Sequence, residues 1–177
     1  MIFVLIGSTS NGKTTLGRAL SKRLNLNLID SDELLENTLG MSIGCVFSDK
    51  GINYVNLVTL DILKNFSQNI EPNENYILVA GASCVMSIEI VNLLKKISDY
   101  IVCIESKPLT QINRIKQNKH ASTSLITFLP NNNLAEIYLT YRKHFNYIAN
   151  ILITTDDLSI KETSNIVEKI IKGKNIW

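Results

Sequence analysis

Cysteine is scarce in this chain, and its placement excludes more than its number does. Cys45, Cys84 and Cys103 form no C-x-x-C pair, which argues against a disulfide framework or a zinc site and suits a reducing compartment. Charge is thin as well. Eighteen Lys and Arg against sixteen Asp and Glu leave a net charge of +2, with no basic run and no interleaved aromatics. That pattern gives no footing to a nucleic-acid partner. No apolar stretch reaches the length of a membrane span. The first apolar run, Ile2–Ile6, is too short for a signal-peptide core and has no basic residues ahead of it. Internal repeats and low-complexity tracts are absent too. The expectation is a cytoplasmic, monomeric protein, one domain over residues 1–177, whose partner is a small molecule rather than a nucleic acid or a membrane.

What is present begins at the N-terminal run. Ile2-Phe3-Val4-Leu5-Ile6 leads directly into Gly7-Ser8-Thr9-Ser10-Asn11-Gly12-Lys13-Thr14, which has the spacing G-x-x-x-x-G-K-[ST]. Helical periodicity then opens at Lys13 and continues through Leu16, Ala19, Leu20 and Leu24. A strand that empties into a glycine-bearing turn and then a helix directs backbone N–H groups at a phosphate, and the helix dipole adds to the attraction. Gly7, Ser10, Asn11, Gly12, Lys13, Thr14 and Thr15 are therefore expected to hold a nucleoside triphosphate. Lys13 would reach the β/γ-phosphates, and the Thr14 hydroxyl would hold Mg²⁺.

Strand-like runs recur at Leu26–Ile29, Tyr76–Ala80, Tyr100–Ile104 and Ile151–Thr154, with helical periodicity between them. Continuous apolar runs imply strands covered on both faces. The predicted fold is thus α/β, a three-layer sandwich around a five-stranded parallel sheet. Asn118–Asn133 has no clear period and is expected to form a lid, as long aperiodic segments in phosphate-binding folds often do. Asp30-Ser31-Asp32 follows the second strand, at the carboxyl end where α/β sheets bind ligands. One carboxylate can attend to a metal's water shell while the other takes a proton from a hydroxyl. Asp30 or Ser31 can also cap the following helix, Glu33–Leu39, without conflict.

The stretch "LIDSDELLENTLGMSIGCVFSDKG" resembles the shikimate kinases, and the resemblance extends over nearly the whole chain. It implies a P-loop fold of the nucleoside monophosphate kinase type, with an acceptor-binding region near residues 31–65 and a lid at 118–133. It further implies that Asp30 assists Mg²⁺ with Thr14, Asp32 binds the acceptor hydroxyls, Arg114 stacks on adenine, Arg142 clamps the acceptor carboxylate, and Gly81 lies in the third-strand glycine turn.

The departures are equally specific. Asn56 stands where the family has a second carboxylate-clamping arginine. Gly81-Ala82-Ser83 replaces the Gly-Gly-Gly turn. Ala121-Ser122-Thr123 replaces the lid's Arg-Pro-Leu, with Lys119 and His120 the nearest cations. Loss of one bidentate arginine contact costs about 2–5 kcal/mol, so shikimate is expected to be a poor substrate or none.

The expected activity is transfer of a phosphoryl group from ATP, with Mg²⁺, to a hydroxyl of shikimate or a related small polyol or hydroxy acid. Lys13 and Asp32 are the catalytic pair. The second reading is a nucleotide-binding relative without catalysis that serves as a regulatory or interaction module. His144, Cys84 and Asp156-Asp157 are expected to be structural.

Overall fold

The computed structural model describes residues 1–117 and 134–173. In chain order the described elements are β1 (Ile2–Ile6), α1 (Lys13–Leu24), β2 (Asn27–Asp30), α2 (Ser31–Leu39) and α3 (Ile43–Gln68). They continue with β3 (Tyr76–Val79), a 3₁₀ turn (Ala82–Met86), α4 (Ile88–Ile97), β4 (Tyr100–Glu105), α5 (Pro108–Gln117), α6 (Leu134–Ile148), β5 (Ile151–Thr154) and α7 (Ile160–Ile171). The strands form one parallel sheet in the order β2-β3-β1-β4-β5. The expected α/β sandwich with five parallel strands is what the chain forms.

The alternation of β1 explains the layers. Ile2, Val4 and Ile6 point into a core with Leu78, Ile90, Leu94 and Phe145, whereas Phe3 and Leu5 point into one with Leu16, Leu20, Ile77 and Val167. Successive side chains of a strand leave opposite faces, so one buried strand serves both helical layers. A third, smaller cluster joins Leu35 of α2 to Ile43, Val46 and Val55 of α3. It holds this helical pair beside the carboxyl ends of the strands.

Boundaries moved where caps decide them. The helix expected from Glu33 begins at Ser31, because the Asp30 carboxylate accepts from the backbone N–H groups of Asp32 and Glu33. The long α3 is interrupted at Gly51, which has φ 76° and ψ 175°. The 3₁₀ turn after β3 and helix α5 are additions to the elements delimited from sequence. The lid expected at 118–133 lies outside the described residues, as do Lys119, His120 and Ala121-Ser122-Thr123. Among the described residues no helix is long and apolar enough to cross a membrane.

Candidate active site

The phosphate loop closes against the neighbouring strand. Gly7 has φ 144°, and a Cβ there would lie 2.2 Å from the Ile104 carbonyl oxygen. The position therefore excludes any side chain by contact as well as by backbone angle. Ser10 (φ 62°) and Gly12 (φ 84°) take left-handed conformations, so the loop turns sharply before α1 opens at Lys13. Lys13 is buried, and its Nζ donates to the Ser8 carbonyl at 2.8 Å, which folds the side chain back over the loop. Burial pulls its pKa below 10.5, and the carboxylates of Asp32 and Asp30 act in the opposite direction.

Thr14 and Asp30 meet directly. The Thr14 hydroxyl donates to Asp30 Oδ2 at 2.8 Å, while Asp30 Oδ1 caps α2. One carboxylate thus caps α2, as expected of Asp30 or Ser31, and meets the Thr14 hydroxyl as well. Asp32 is half-buried and rests on the backbone of Gly81, where an added Cβ would fall 2.0 Å from Oδ1. Burial, and then the neighbouring Asp30 charge, raise its pKa from 3.8 to about 6. Ser31 fixes this juxtaposition: its hydroxyl accepts from the Gly81 N–H at 2.9 Å. Cys84 lies 3.9 Å from the same hydroxyl, wholly buried, and burial pushes its thiol up to about 12. It is a core group with no accessible thiolate.

A cavity of about 340 Å³ opens beside the loop, lined by Gly12, Thr15, Arg114, Thr155, Ser159 and Ile160 among others. Arg114 is held there by its donations to the Thr155 carbonyl at 2.8 Å and to the Thr155 hydroxyl at 3.2 Å. Asn11 also borders the cavity, but its side chain is spent internally. Nδ2 donates to the Ile104 carbonyl at 2.9 Å, and Oδ1 accepts from Ser106 at 2.6 Å. The Asn11 amide straps the loop to the end of β4.

The remaining expected residues are distributed around this centre. Arg142 on α6 pairs through Nε with Glu105 Oε1 at 2.5 Å, at the carboxyl end of β4. His144 is exposed, one helical position pair beyond it. Asp156 accepts from the Lys107 N–H and the Thr110 hydroxyl, anchoring the start of α5. Sequence reasoning saw Ser31 only as a cap and missed Glu105, Ser106 and Thr155 altogether. None has a motif; each matters through a partner distant in sequence. Thr155 alone had a signal, its place directly after the last strand.

Comparison with known proteins bears on the family and the fold. The shikimate kinase of Macrococcus caseolyticus is 29% identical over 170 residues, covering 96% of this chain and 94% of that protein. The shikimate kinase of Flavobacterium psychrophilum is 28% identical over 169 residues, covering 96% of both. Among solved structures, shikimate kinase from Acinetobacter baumannii in complex with shikimate superposes with a TM-score of 0.78 at 20% identity, over 99% of this chain and 95% of that one. Deoxyadenosine kinase from M. mycoides with bound dATP gives 0.61 at 13% identity, over 97% and 100%. At these identities the superpositions speak for the fold, that of a P-loop kinase. The profile of the family described as shikimate kinase matches residues 9–173, from within the phosphate loop to just past α7, and this chain belongs to the shikimate kinase family.

Proposed function

We propose that this protein transfers the γ-phosphoryl group of ATP to a hydroxyl of shikimate or a closely related polyhydroxylated acid, in the cytoplasm and with Mg²⁺. The carrying observation is the meeting of Lys13, Thr14, Asp30 and Asp32 at the mouth of the phosphate loop, with Asp32 resting on Gly81. The regulatory alternative has no observation in its favour.

Residues 31–65 form the acceptor side in this reading, and 118–133 supply the lid. The acceptor hydroxyl donates to Asp32, whose raised pKa suits a group that must receive a proton near neutrality. As the acceptor oxygen bonds to the γ-phosphorus, the bond from that phosphorus to the β–γ bridging oxygen breaks. ADP leaves, and the hydroxyl proton passes to Asp32. Lys13 stabilises charge on the phosphoryl oxygens, and the loop backbone holds the β-phosphate in position. Arg114 orients the base end of the nucleotide through the 340 Å³ cavity.

The donor chemistry fits Mg²⁺. A hydroxyl and a carboxylate oxygen 2.8 Å apart, Thr14 Oγ1 and Asp30 Oδ2, are hard ligands. Among the described residues no cluster of three or more His, Cys, Asp or Glu forms a cage. Mg²⁺ keeps several waters and takes phosphate oxygens as ligands. Bound there, it would neutralise charge on the β- and γ-phosphates.

The direct test is release of ADP in a coupled assay, with and without shikimate. Acceptor-dependent release supports the reading; release that ignores the acceptor overturns it. The metal assignment has its own test. Asn is as good a helix cap as Asp, so Asp30→Asn keeps α2 but weakens the attraction to the ion. The Mg²⁺ concentration for half-maximal rate should rise by about 10–100-fold. An unchanged requirement would leave Asp30 as a cap alone.

A further inference from the structure

Helix α5 starts at Pro108, and Lys107 ahead of it is not a residue that caps well. The negative group that this helix end favours comes from 46 positions beyond Thr110. Asp156 Oδ1 accepts from the Lys107 N–H at 2.9 Å and from the Thr110 hydroxyl, and Oδ2 accepts from the same N–H at 3.2 Å. Arg114 lies one turn beyond Thr110 on the same helix face. The charges of Lys107 and Arg114 both act on the Asp156 carboxylate. Gln111 ties the helix a second time, by donating to the Ser106 carbonyl at 2.8 Å.

The residue before Asp156 receives Arg114. Thr155 is fixed by the sheet, since its N–H and its hydroxyl both donate to the Glu105 carbonyl, at 2.8 and 3.1 Å. Arg114 Nη2 donates to the Thr155 carbonyl and Nη1 to its hydroxyl. A guanidinium donates in its own plane, so these two bonds set the tilt of that plane. Its faces are what it offers to a flat base in the cavity it lines. That tilt depends on how α5 leaves the sheet, and Asp156 sets the departure from the position next to Thr155.

We propose that Asp156 is a positioning residue for nucleotide binding: by fixing the first turn of α5 it aims the Arg114 guanidinium at the base, and so raises ATP affinity from outside the cavity. The proposal rests on the nucleotide reading above and adds a residue to it.

Calorimetry with ATP·Mg²⁺ and with magnesium tripolyphosphate separates the base from the phosphates. Stacking on an arginine is worth about tenfold, which Arg114→Ala should lose. Asp156→Ala should weaken ATP about fivefold and leave tripolyphosphate within about twofold. In the Arg114→Ala background the same change should add nothing, because Asp156 acts through that side chain. Asp156→Asn keeps the Oδ1 acceptor for both donors and should bind ATP within about twofold of wild type. Gln111 keeps α5 attached in these variants, and thermal melts establish that they are folded. If Asp156→Ala does not fold, Thr110→Val removes one of the bonds and should weaken ATP alone by about threefold.

ATP affinity equal to wild type in the folded variants would leave Asp156 a structural anchor and overturn the proposal. So would equal losses for ATP and tripolyphosphate, additive losses in the double variant, or an Asn variant as weak as the Ala variant. Each of these leaves the nucleotide reading standing. Wild type that binds neither ATP nor tripolyphosphate overturns that reading and the proposal together.

Discussion

Lys13→Ala should lower phosphoryl transfer by about a thousandfold or more, while the protein remains folded. The ammonium contributes through charge placed where the phosphoryl group becomes more negative in transit, and such groups are worth orders of magnitude in rate. Its position supports this role: it is buried, folded over the loop onto the Ser8 carbonyl, and acted on by the carboxylates of Asp30 and Asp32. Burial without a phosphate disfavours the charged form, as the lowered pKa records. A polyanion on the loop offsets that cost, so binding and charge stabilisation arise from one feature. ATP should bind the variant about 10–100-fold more weakly, the value of one lost charge-assisted hydrogen bond. Adenosine, which has no phosphate, should bind both proteins alike. Calorimetry with ATP and adenosine and single-turnover rates decide the matter. Equal ATP affinity in the two proteins would separate Lys13 from the phosphates and remove the basis of the nucleotide reading.

Asp32→Asn should have the second-largest effect on rate and an opposite effect on stability. A positioned base contributes about 10²–10⁴-fold, so kcat should fall within that range, with ATP binding nearly unchanged. The stability effect follows from the raised pKa. Folded Asp32 takes up its proton near pH 6, and the unfolded residue near 3.8. Between those values the folded state holds more protons, so stability falls as pH rises through the window and is flat above it. The ionised carboxylate is therefore a burden at pH 8 that asparagine does not carry. The full shift corresponds to about 3 kcal/mol, and partial exposure reduces this to about 1–2 kcal/mol. The variant should melt a few degrees above wild type at pH 8 and level with it below pH 4. A stability difference that is the same at both pH values would show that the carboxylate's charge is not its source. A kcat within a few-fold of wild type would show that Asp32 is not the base.

Both predictions concern residues whose sequence neighbours declare them. Lys13 is announced by two glycines at fixed spacing, after an apolar strand and before a helical period. Asp32 is announced by its place after the second strand. Such signals are local. A tight turn needs glycine, a buried strand needs a continuous apolar run, and a helix face repeats every three to four residues; each requirement is met within a few positions. For that reason β1 and β5 were bounded correctly, and β2, β3 and β4 nearly so. The 3₁₀ turn at Ala82–Met86 escaped because a single turn has too few residues to establish a period.

The site's polar partners follow a different rule. Asn11 reads as a phosphate-loop residue, yet its amide is claimed by a carbonyl 93 positions away. Arg142 reads as a clamp on a substrate acid, yet it faces Glu105. Asp32 owes its raised pKa to burial against Gly81 and to Asp30, and only the first of those neighbours is remote in sequence. The amino-acid sequence by itself determined the parallel sheet, the phosphate loop and the pair of aspartates, because each is written in short-range spacing. Tertiary structure alone decided which side chains remain available to a ligand. Hydrogen bonds and ion pairs in a parallel α/β fold are contested among residues that meet only at the carboxyl ends of the strands, once every crossover has been made.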